Sequence, residues 1–338
     1  MPIDEPPTLD ILSDLVYGVW KATVFKAALE LDLFTVIAGG HQTLHDVVAA
    51  TQCSERGIRR LLDALCSLGL LGKSEGRYAL TPTSEAFLVR GKPSYKGDYY
   101  VRYSLAWQAR ARIAEGVKTG MAVNLDASRR ATADLWASYC APSLVTWPRE
   151  AEEALATWKR LGIDPDIRPG LQLLDVACGA GVMSFVLARD DANVRITAFD
   201  SSEKVLEVVA HVAEAMEVKE QVTFHTGDVV SADFGTEQFE IVLFGRILPY
   251  FSLSQIQHIL QRAHTALKPG GLVVINSLVV DEERCQAEGA LVGAFELLLY
   301  TSQSDNYTFS EYQSVLLQAG FIDVTQHSDA YLRARKPM

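Results

Sequence analysis

The sequence predicts an α/β protein, with a doubly wound, mainly parallel sheet in the C-terminal half behind a mainly helical N-terminal domain of winged-helix type. Three observations carry this reading. Short runs rich in Val, Ile and Leu alternate with helical segments after residue 169. Apolar residues before residue 37 recur at helical spacing. Between them a helix-turn-helix pattern runs into two short strand signals. At 338 residues the chain suits two cores better than one. Its apolar content of 49% and charged content of 22% are those of an ordinary folded protein and exclude a disordered or fibrous one.

From Leu9 to about Val36, DLVYGVWKATVFKAALELDLF is too densely apolar for a helix with a single covered face, so this helix pair must bury against something. A partner subunit and the chain's own later helices would each satisfy the pattern. Residues 43–88 then read as helix, turn, helix and a two-stranded wing. Ile58, Leu61, Leu62 and Leu65 stand at i, i+3, i+4 and i+7, with Ser54 as N-cap; Gly69 and Gly72 end the helix. KSEGRYALTP supplies a turn at Ser74–Gly76 and a strand stopped by Pro82. Arg56, Arg59 and Arg60 on the second helix could grip phosphates, but Glu55 and Asp63 dilute them and a net charge of -11 repels a nucleic acid. No nucleic-acid partner is expected.

From about Ser94 to Leu161 the chain reads as helical and rich in aromatics (Tyr99, Tyr100, Tyr103, Trp107, Trp136, Tyr139, Trp147), closed by the breaker segment IDPDIRPG, which marks a domain boundary. Such aromatics form core or, beside a cofactor domain, a wall for a flat ligand. Beyond the boundary LQLLDVA, VRITAFD, VTFHTGD, FEIVLF and GLVVINSLVV read as strands. Near-continuous apolar strands are buried on both faces, and ligands of such sheets sit at the carboxyl ends of the strands.

The first of those ends is LLDVACGAG, where Asp175 precedes a turn whose Gly179 and Gly181 let a ligand approach the backbone. A carboxylate serves a phosphate cofactor poorly, whereas the amino-acid end of S-adenosylmethionine (SAM) offers Asp175 an ammonium group. The second strand ends at Asp200, placed to take both hydroxyls of a ribose, and the third at Gly227 and Asp228, where a carboxylate can accept from an adenine amino group. Three acids at three successive strand ends point to SAM as cofactor.

With these residues in place the sequence resembles the SAM-dependent methyltransferases that include plant phenolic O-methyltransferases and bacterial natural-product relatives. The resemblance runs in order through KAALELDLF, RYALTPTSEAFL, LLDVACGAG, GDVV, LKPGGLVVINSLVV and YTFSEYQSVLLQAGF, nearly the whole chain. It implies a class I Rossmann-like methyltransferase domain at 169–338, a winged-helix dimerisation domain at 1–93 and a helical linker and substrate-pocket segment at 94–168. It further implies a homodimer through the N-terminal helices and SAM contacts from Gly179, Asp200 and Asp228. WASYC would set Trp136 and Cys140 beside the acceptor, with Tyr139 between them.

Departures from the pattern concern catalysis. Ala177 replaces the loop's usual first glycine, which costs backbone freedom without closing the site. Phenol-methylating relatives carry a histidine base where GRILPYF has Pro249, and two glutamates that orient it match Asn276 and Asn306; Pro249 cannot accept a proton. Alignment of the reactants supplies effective molarities of ~10⁵ to 10⁸ M, against ~10² to 10⁴ for a general base, so an acidic or otherwise nucleophilic acceptor could be methylated without one. Tyr250 could orient such an acceptor or relay its proton, and Arg246 could lower its pKa. The expected activity is methyl transfer to carbon, nitrogen or an acidic oxygen of a small aromatic or enolic molecule. A non-methyl reaction such as cyclisation, and a winged-helix regulator, are the alternatives. Five scattered cysteines without a CxxC pair suggest neither disulfides nor zinc, and the histidines His211, His225, His258 and His264 have no metal-ligand company. With no long apolar run and no leader pattern in MPIDEPPTLD, a cytoplasmic protein is expected.

Overall fold

The first helix, α1 (Asp10–Glu30), ends where Asp32 turns left-handed, and α2 (Leu33–Ala38) follows at once. The computed structural model describes residues 8–104, 107–123, 132–163, 170–299 and 301–338. The breaker segment's residues 164–169 and the first seven residues lie outside that set. Two compact units divide between Ala106 and Trp107.

In the first unit α3 (Leu44–Thr51) opens on a capping box in which Thr43 and Asp46 satisfy each other's backbone N–H. In α4 (Glu55–Ser67) Ser54 Oγ accepts from Gly57 N–H at 3.2 Å, as the sequence foretold. Ile58, Leu62 and Leu65 are buried on one side of α4, Leu61 is half-buried, and Arg56, Arg59 and Arg60 face solvent. The wing is a hairpin of β1 (Leu71–Ser74) and β2 (Arg77–Leu80), pairing Leu71 with Leu80 and Ser74 with Arg77. Its two-residue turn puts Glu75 and Gly76 at positive φ, the geometry that matches strand twist. Pro82 stops the strand by occupying the first turn of α5 (Pro82–Phe87), where a missing N–H costs nothing. This core closes around Phe34, Leu62, Leu65 and Tyr78.

The second unit begins with α6 (Trp107–Ala111) and α7 (Ile113–Thr119), followed by α8 (Thr132–Cys140) and α9 (Ser143–Arg160). The rest alternates: β3 (Gln172–Val176), α10 (Val182–Asp190), β4 (Arg195–Asp200), α11 (Glu203–Ala215), β5 (Val222–Thr226), β6 (Phe239–Gly245), α12 (Leu253–Ala266) and β7 (Leu267–Asn276). Then come α13 (Glu288–Leu297), α14 (Phe309–Gln318), β8 (Ile322–Ser328) and β9 (Tyr331–Arg335). The sheet order is β5-β4-β3-β6-β7-β9-β8, parallel throughout except that β9 runs against both of its neighbours. Order reverses at β3, so the crevice beyond the carboxyl ends of β3, β4 and β6 is the topological switch point where ligands bind.

Alternation assigns the faces. Leu173, Ile196, Ala198, Ile241, Leu243, Leu272 and Val274 pack under α9, α10 and α11, while Leu174, Val176, Val242, Phe244, Val273 and Ile275 pack under α12 and α14. By the same period Asp175, Asp200, Gly245 and Asn276 belong to the first face. The sequence runs predicted as strands are all present, except that the fifth leaves the sheet after Asn276, so Ser277–Val280 of GLVVINSLVV are not part of it. The β8–β9 pair was not expected. None of the described helices is long and apolar enough to cross a membrane.

Candidate active site

β3 carries Asp175 into the interior, where it is 2% exposed and accepts a 2.6 Å hydrogen bond from the buried Ser184 Oγ of α10. Burial pushes its carboxyl up to about 7; the Ser184 bond opposes this and the charge of Asp200 adds to it. The chain then turns at Ala177, whose φ of 56° is left-handed. A Cβ in that region costs about 1–2 kcal/mol. Ala177→Gly is therefore expected to raise stability by about 1 kcal/mol and the thermal midpoint by about 2–4 °C. A lower midpoint in a thermal melt would refute the strain.

The two loop glycines have different tasks. Gly181, at φ 74°, caps α10, and a Cβ there would meet the Phe185 ring at 2.5 Å, so its missing side chain serves packing. Gly179, at φ 54°, would place a Cβ in open space with only Cys140 Sγ nearby, at 3.8 Å, which leaves its backbone approachable.

Asp200 closes β4 and accepts from Ser202 N–H at 3.0 Å. Burial raises its carboxyl, and the backbone N–H groups of Ser202, Gly179 and Ser201 pull it back down. Among the described residues no lysine or arginine neutralises Asp175 or Asp200. Two neighbouring carboxylates taken out of water without a cation are costly, and a ligand that brings positive charge and hydroxyl donors relieves that cost. Asp228 is different: exposed after β5, it accepts from Val230 N–H at 2.8 Å and begins a turn through Ala232. One of its oxygens thus serves the loop.

Above these strand ends α8 gathers the aromatic residues singled out in the sequence. Trp136 stands edge-on to Tyr139 at 5.7 Å and to Tyr250 at 6.0 Å between ring centroids. An ion pair of Lys204 with Asp134 ties α8 to α11. Cys140 is buried, with its Sγ toward Gly179. Pro249 is buried in the short turn Leu248–Tyr250 after β6. Arg246, just after β6, is exposed, left-handed at φ 56°, and donates its N–H to Asn276 O at 2.8 Å. Asn276 Nδ2 donates to the Tyr331 phenol at 3.0 Å. Asn306 is buried elsewhere: its Nδ2 is spent on Ala290 O of α13 at 2.5 Å, so it is not joined to Asn276 or Pro249.

The structure thus brings together Asp175, Gly179 and Asp200, then Trp136, Tyr139 and Tyr250, then Arg246 and Asn276. Sequence reasoning missed Ser184, which holds Asp175, and Tyr331, which holds Asn276. Ser184 stands three residues after Gly181 in the first turn of α10, a spacing that could have suggested it; Tyr331 lies on a strand that was not foreseen.

Comparison with known proteins bears on the fold and the family. Residues 13–90 match an O-methyltransferase dimerisation domain and residues 173–271 a methyltransferase domain. The tetracenomycin polyketide synthesis 8-O-methyl transferase of Streptomyces glaucescens is 29% identical over 93% of this chain and 91% of its own. The 3-hydroxy-5-methyl-1-naphthoate 3-O-methyltransferase of Streptomyces sahachiroi is 29% identical over 96% and 92%. Among solved structures, a Nostoc punctiforme protein assigned as an O-methyltransferase aligns over 98% of this chain and 100% of its own, at 26% identity and a TM-score of 0.76. Human N-acetylserotonin methyltransferase in complex with SAM aligns over 100% of both chains, at 21% identity and a TM-score of 0.77, and supports the fold.

Proposed function

We propose, for a chain that belongs to the SAM-dependent methyltransferases pairing an O-methyltransferase dimerisation domain with a Rossmann-like methyltransferase domain, that the acceptor is an aromatic molecule methylated on an acidic hydroxyl. The enzyme acts on a small molecule with SAM as cofactor. The observation that carries the finer reading is the Trp136–Tyr250 wall beside an exposed arginine, with no histidine at the position of Pro249. Cyclisation is not favoured.

The residues fit the cofactor. Asp200 would hold the ribose hydroxyls, Gly179 would offer its backbone, Asp175 would take the ammonium and Asp228 the adenine amino group. When bound, SAM supplies an electrophilic methyl group on a sulfonium. The chain's own part is alignment: Trp136 and Tyr250 supply an aromatic wall for a flat acceptor, and Arg246 lowers the pKa of the hydroxyl so that it arrives as an oxyanion. With no histidine base at Pro249, proton loss precedes transfer.

The test is a panel of naphthols, arylamines and carbon acids incubated with SAM and read by mass spectrometry. O-methylation is expected, with kcat/KM rising with pH through the acceptor's own pKa and shifting when that pKa is changed. N- or C-methylation with no O-product would overturn the oxygen assignment.

The pH dependence of cofactor binding has its own sign. Asp175 is raised, so the free protein holds a proton that a bound ammonium would expel. Between about pH 5 and 7 SAM affinity is expected to rise by up to about tenfold per unit and then level off. Release of a proton on binding at pH 6, measured by calorimetry in buffers of different ionisation enthalpy, is the matching signature; affinity flat over this range would remove Asp175 from the ammonium site. For the free protein, Asp175 contributes stability that is present while it is protonated and is lost as pH rises through about 7.

A further inference from the structure

We propose that Arg262 is a positioning residue for the base of the cofactor: it holds the loop after β5 so that Asp228 accepts from the adenine amino group, and the preference for adenine over a purine with a carbonyl at that place depends on it. This rests on the reading of Asp228 as the adenine contact given above. The loop needs an outside anchor. Gly227 N–H donates to Asp200 O at 3.0 Å, but beyond it the loop bonds mostly to itself: Ser231 N–H and Ala232 N–H donate to Asp228 O, and Val230 N–H to the Asp228 carboxylate. Such bonds shape a turn without setting where it points. Among the described residues the hydrogen bonds that tie Asp228–Ala232 to another element come from Arg262, whose two Nη groups donate to Val229 O and Val230 O.

Arg262 suits this task by where it stands. Its neighbours on α12, Ile259, Leu260 and Ala263, are buried against the sheet, so the helix is a firm base, while Arg262 itself is half-buried. Its guanidinium lies over the Phe234 ring, 5.7 Å from the centroid, and Phe234 meets Phe199 edge-on at 5.6 Å. Phe199 in turn is packed so close to Gly227 that a Cβ there would strike its ring at 2.7 Å. Arginine, two rings and the glycine before Asp228 thus form one continuous contact from α12 to the loop. The arginine fork takes two adjacent carbonyls at once and so fixes orientation as well as distance, which the point charge of a lysine does not.

Val230 couples the arginine to the acid. Its N–H donates to one Asp228 oxygen and its carbonyl accepts from Arg262, so the residue that Arg262 holds is the one that orients the carboxylate. Burial lowers the pKa of the guanidinium, and the charges of Asp228 and Asp233 oppose that, which keeps the positive group on this side of the loop. The second Asp228 oxygen is left for a ligand. A carboxylate accepts from an amino group and is repelled by a carbonyl oxygen, so an Asp228 fixed in place discriminates between the two and a wandering one does not.

The test is calorimetry on the full-length protein with S-adenosylhomocysteine and with S-inosylhomocysteine, which carries a carbonyl in place of the amino group. The wild type is expected to bind the adenine compound at least ~10-fold more tightly. Arg262→Met keeps an unbranched stem and loses the donors; it should bring the ratio within about threefold by weakening the adenine compound alone, and Arg262→Lys should restore part of it. Asp228→Ala should abolish the ratio by itself, and adding Arg262→Met to it should change the ratio no further. An Arg262→Met variant that keeps the wild-type ratio, whatever its thermal midpoint, overturns the proposal and makes the arginine a brace for the fold; so does one that weakens both compounds equally. Should Arg262→Met not fold, Arg262→Lys carries the test, a lowered ratio supporting the proposal and an unchanged one overturning it. A wild type that binds both compounds alike removes adenine from Asp228 and the proposal with it, whereas a wild type that binds neither strikes the cofactor site itself.

Discussion

Replacing Asp200 with alanine is expected to weaken SAM binding by at least ~100-fold while leaving the fold intact. A carboxylate receiving two hydroxyls makes two charge-assisted hydrogen bonds, each worth about 1.5–3 kcal/mol, and every 1.4 kcal/mol is tenfold in affinity. The fold should survive because Asp200 closes a strand at a half-buried position, so water can reach the freed Ser202 N–H. Asp200→Asn keeps an oxygen for Ser202 and should fall between the two. A second readout follows from the coupling of the two acids. Because the charge of Asp200 helps hold Asp175 up, its removal should move the pH dependence of S-adenosylhomocysteine binding to lower pH. Calorimetric titration at several pH values measures both effects; near-wild-type affinity in the alanine variant would remove the ribose site from Asp200.

Asp175 and Asp200 were legible in the sequence because a central parallel strand is nearly all apolar, so the polar residue that ends it stands out. Their alternation with Leu173 and Ala198 also fixes the face they share. What could not be read was anything set by backbone shape. Ser184 is nine residues from Asp175, and only the left-handed turns at Ala177, Gly179 and Gly181 bring its hydroxyl back onto the carboxylate. Ala177 was marked only by standing where the loop usually has a glycine, and its left-handed φ came with the structure. Tyr331 was hidden for another reason: β8 is an edge strand whose residues are mostly exposed, so IDVTQHS carries no apolar run, and the hairpin that sets Tyr331 opposite Asn276 had no signature. The resemblance matched Asn276 and Asn306 to one orienting apparatus. In the fold they belong to separate hydrogen-bonded groups, one on Tyr331 and the other on Ala290.

The N-terminal half of α1 calls for the other large effect, since the chain's homodimer is proposed to form there. Leu9, Ile11, Leu12, Leu15, Val16, Tyr17, Val19 and Trp20 are each between 53% and 74% exposed, whereas Ala28 and Leu29 further along are buried in the unit's own core. Monomeric proteins rarely expose a contiguous apolar patch beyond about 300–600 Å², and eight large side chains left this open exceed that. These side chains spread over about two thirds of the helix circumference at 100° per residue, broken by the stripe of Asp10, Asp14, Gly18 and Lys21, so one packing face cannot cover them and an occupant must wrap or cross the helix. A second copy of α1 has the matching surface, and residues 13–90, which include most of this stretch, match a dimerisation domain. At ~25 cal/mol per Å², removing such a patch from water outweighs the ~4–15 kcal/mol cost of association. Leu15→Asp with Trp20→Asp is therefore expected to convert a dimer into a species of one 37.1 kDa chain in sedimentation, with the second unit still binding SAM. The side chains changed are exposed in the single chain, so its own cores should hold. If the double variant still sediments as a dimer, the patch is covered by something other than its own copy and the contact between protomers lies on another surface.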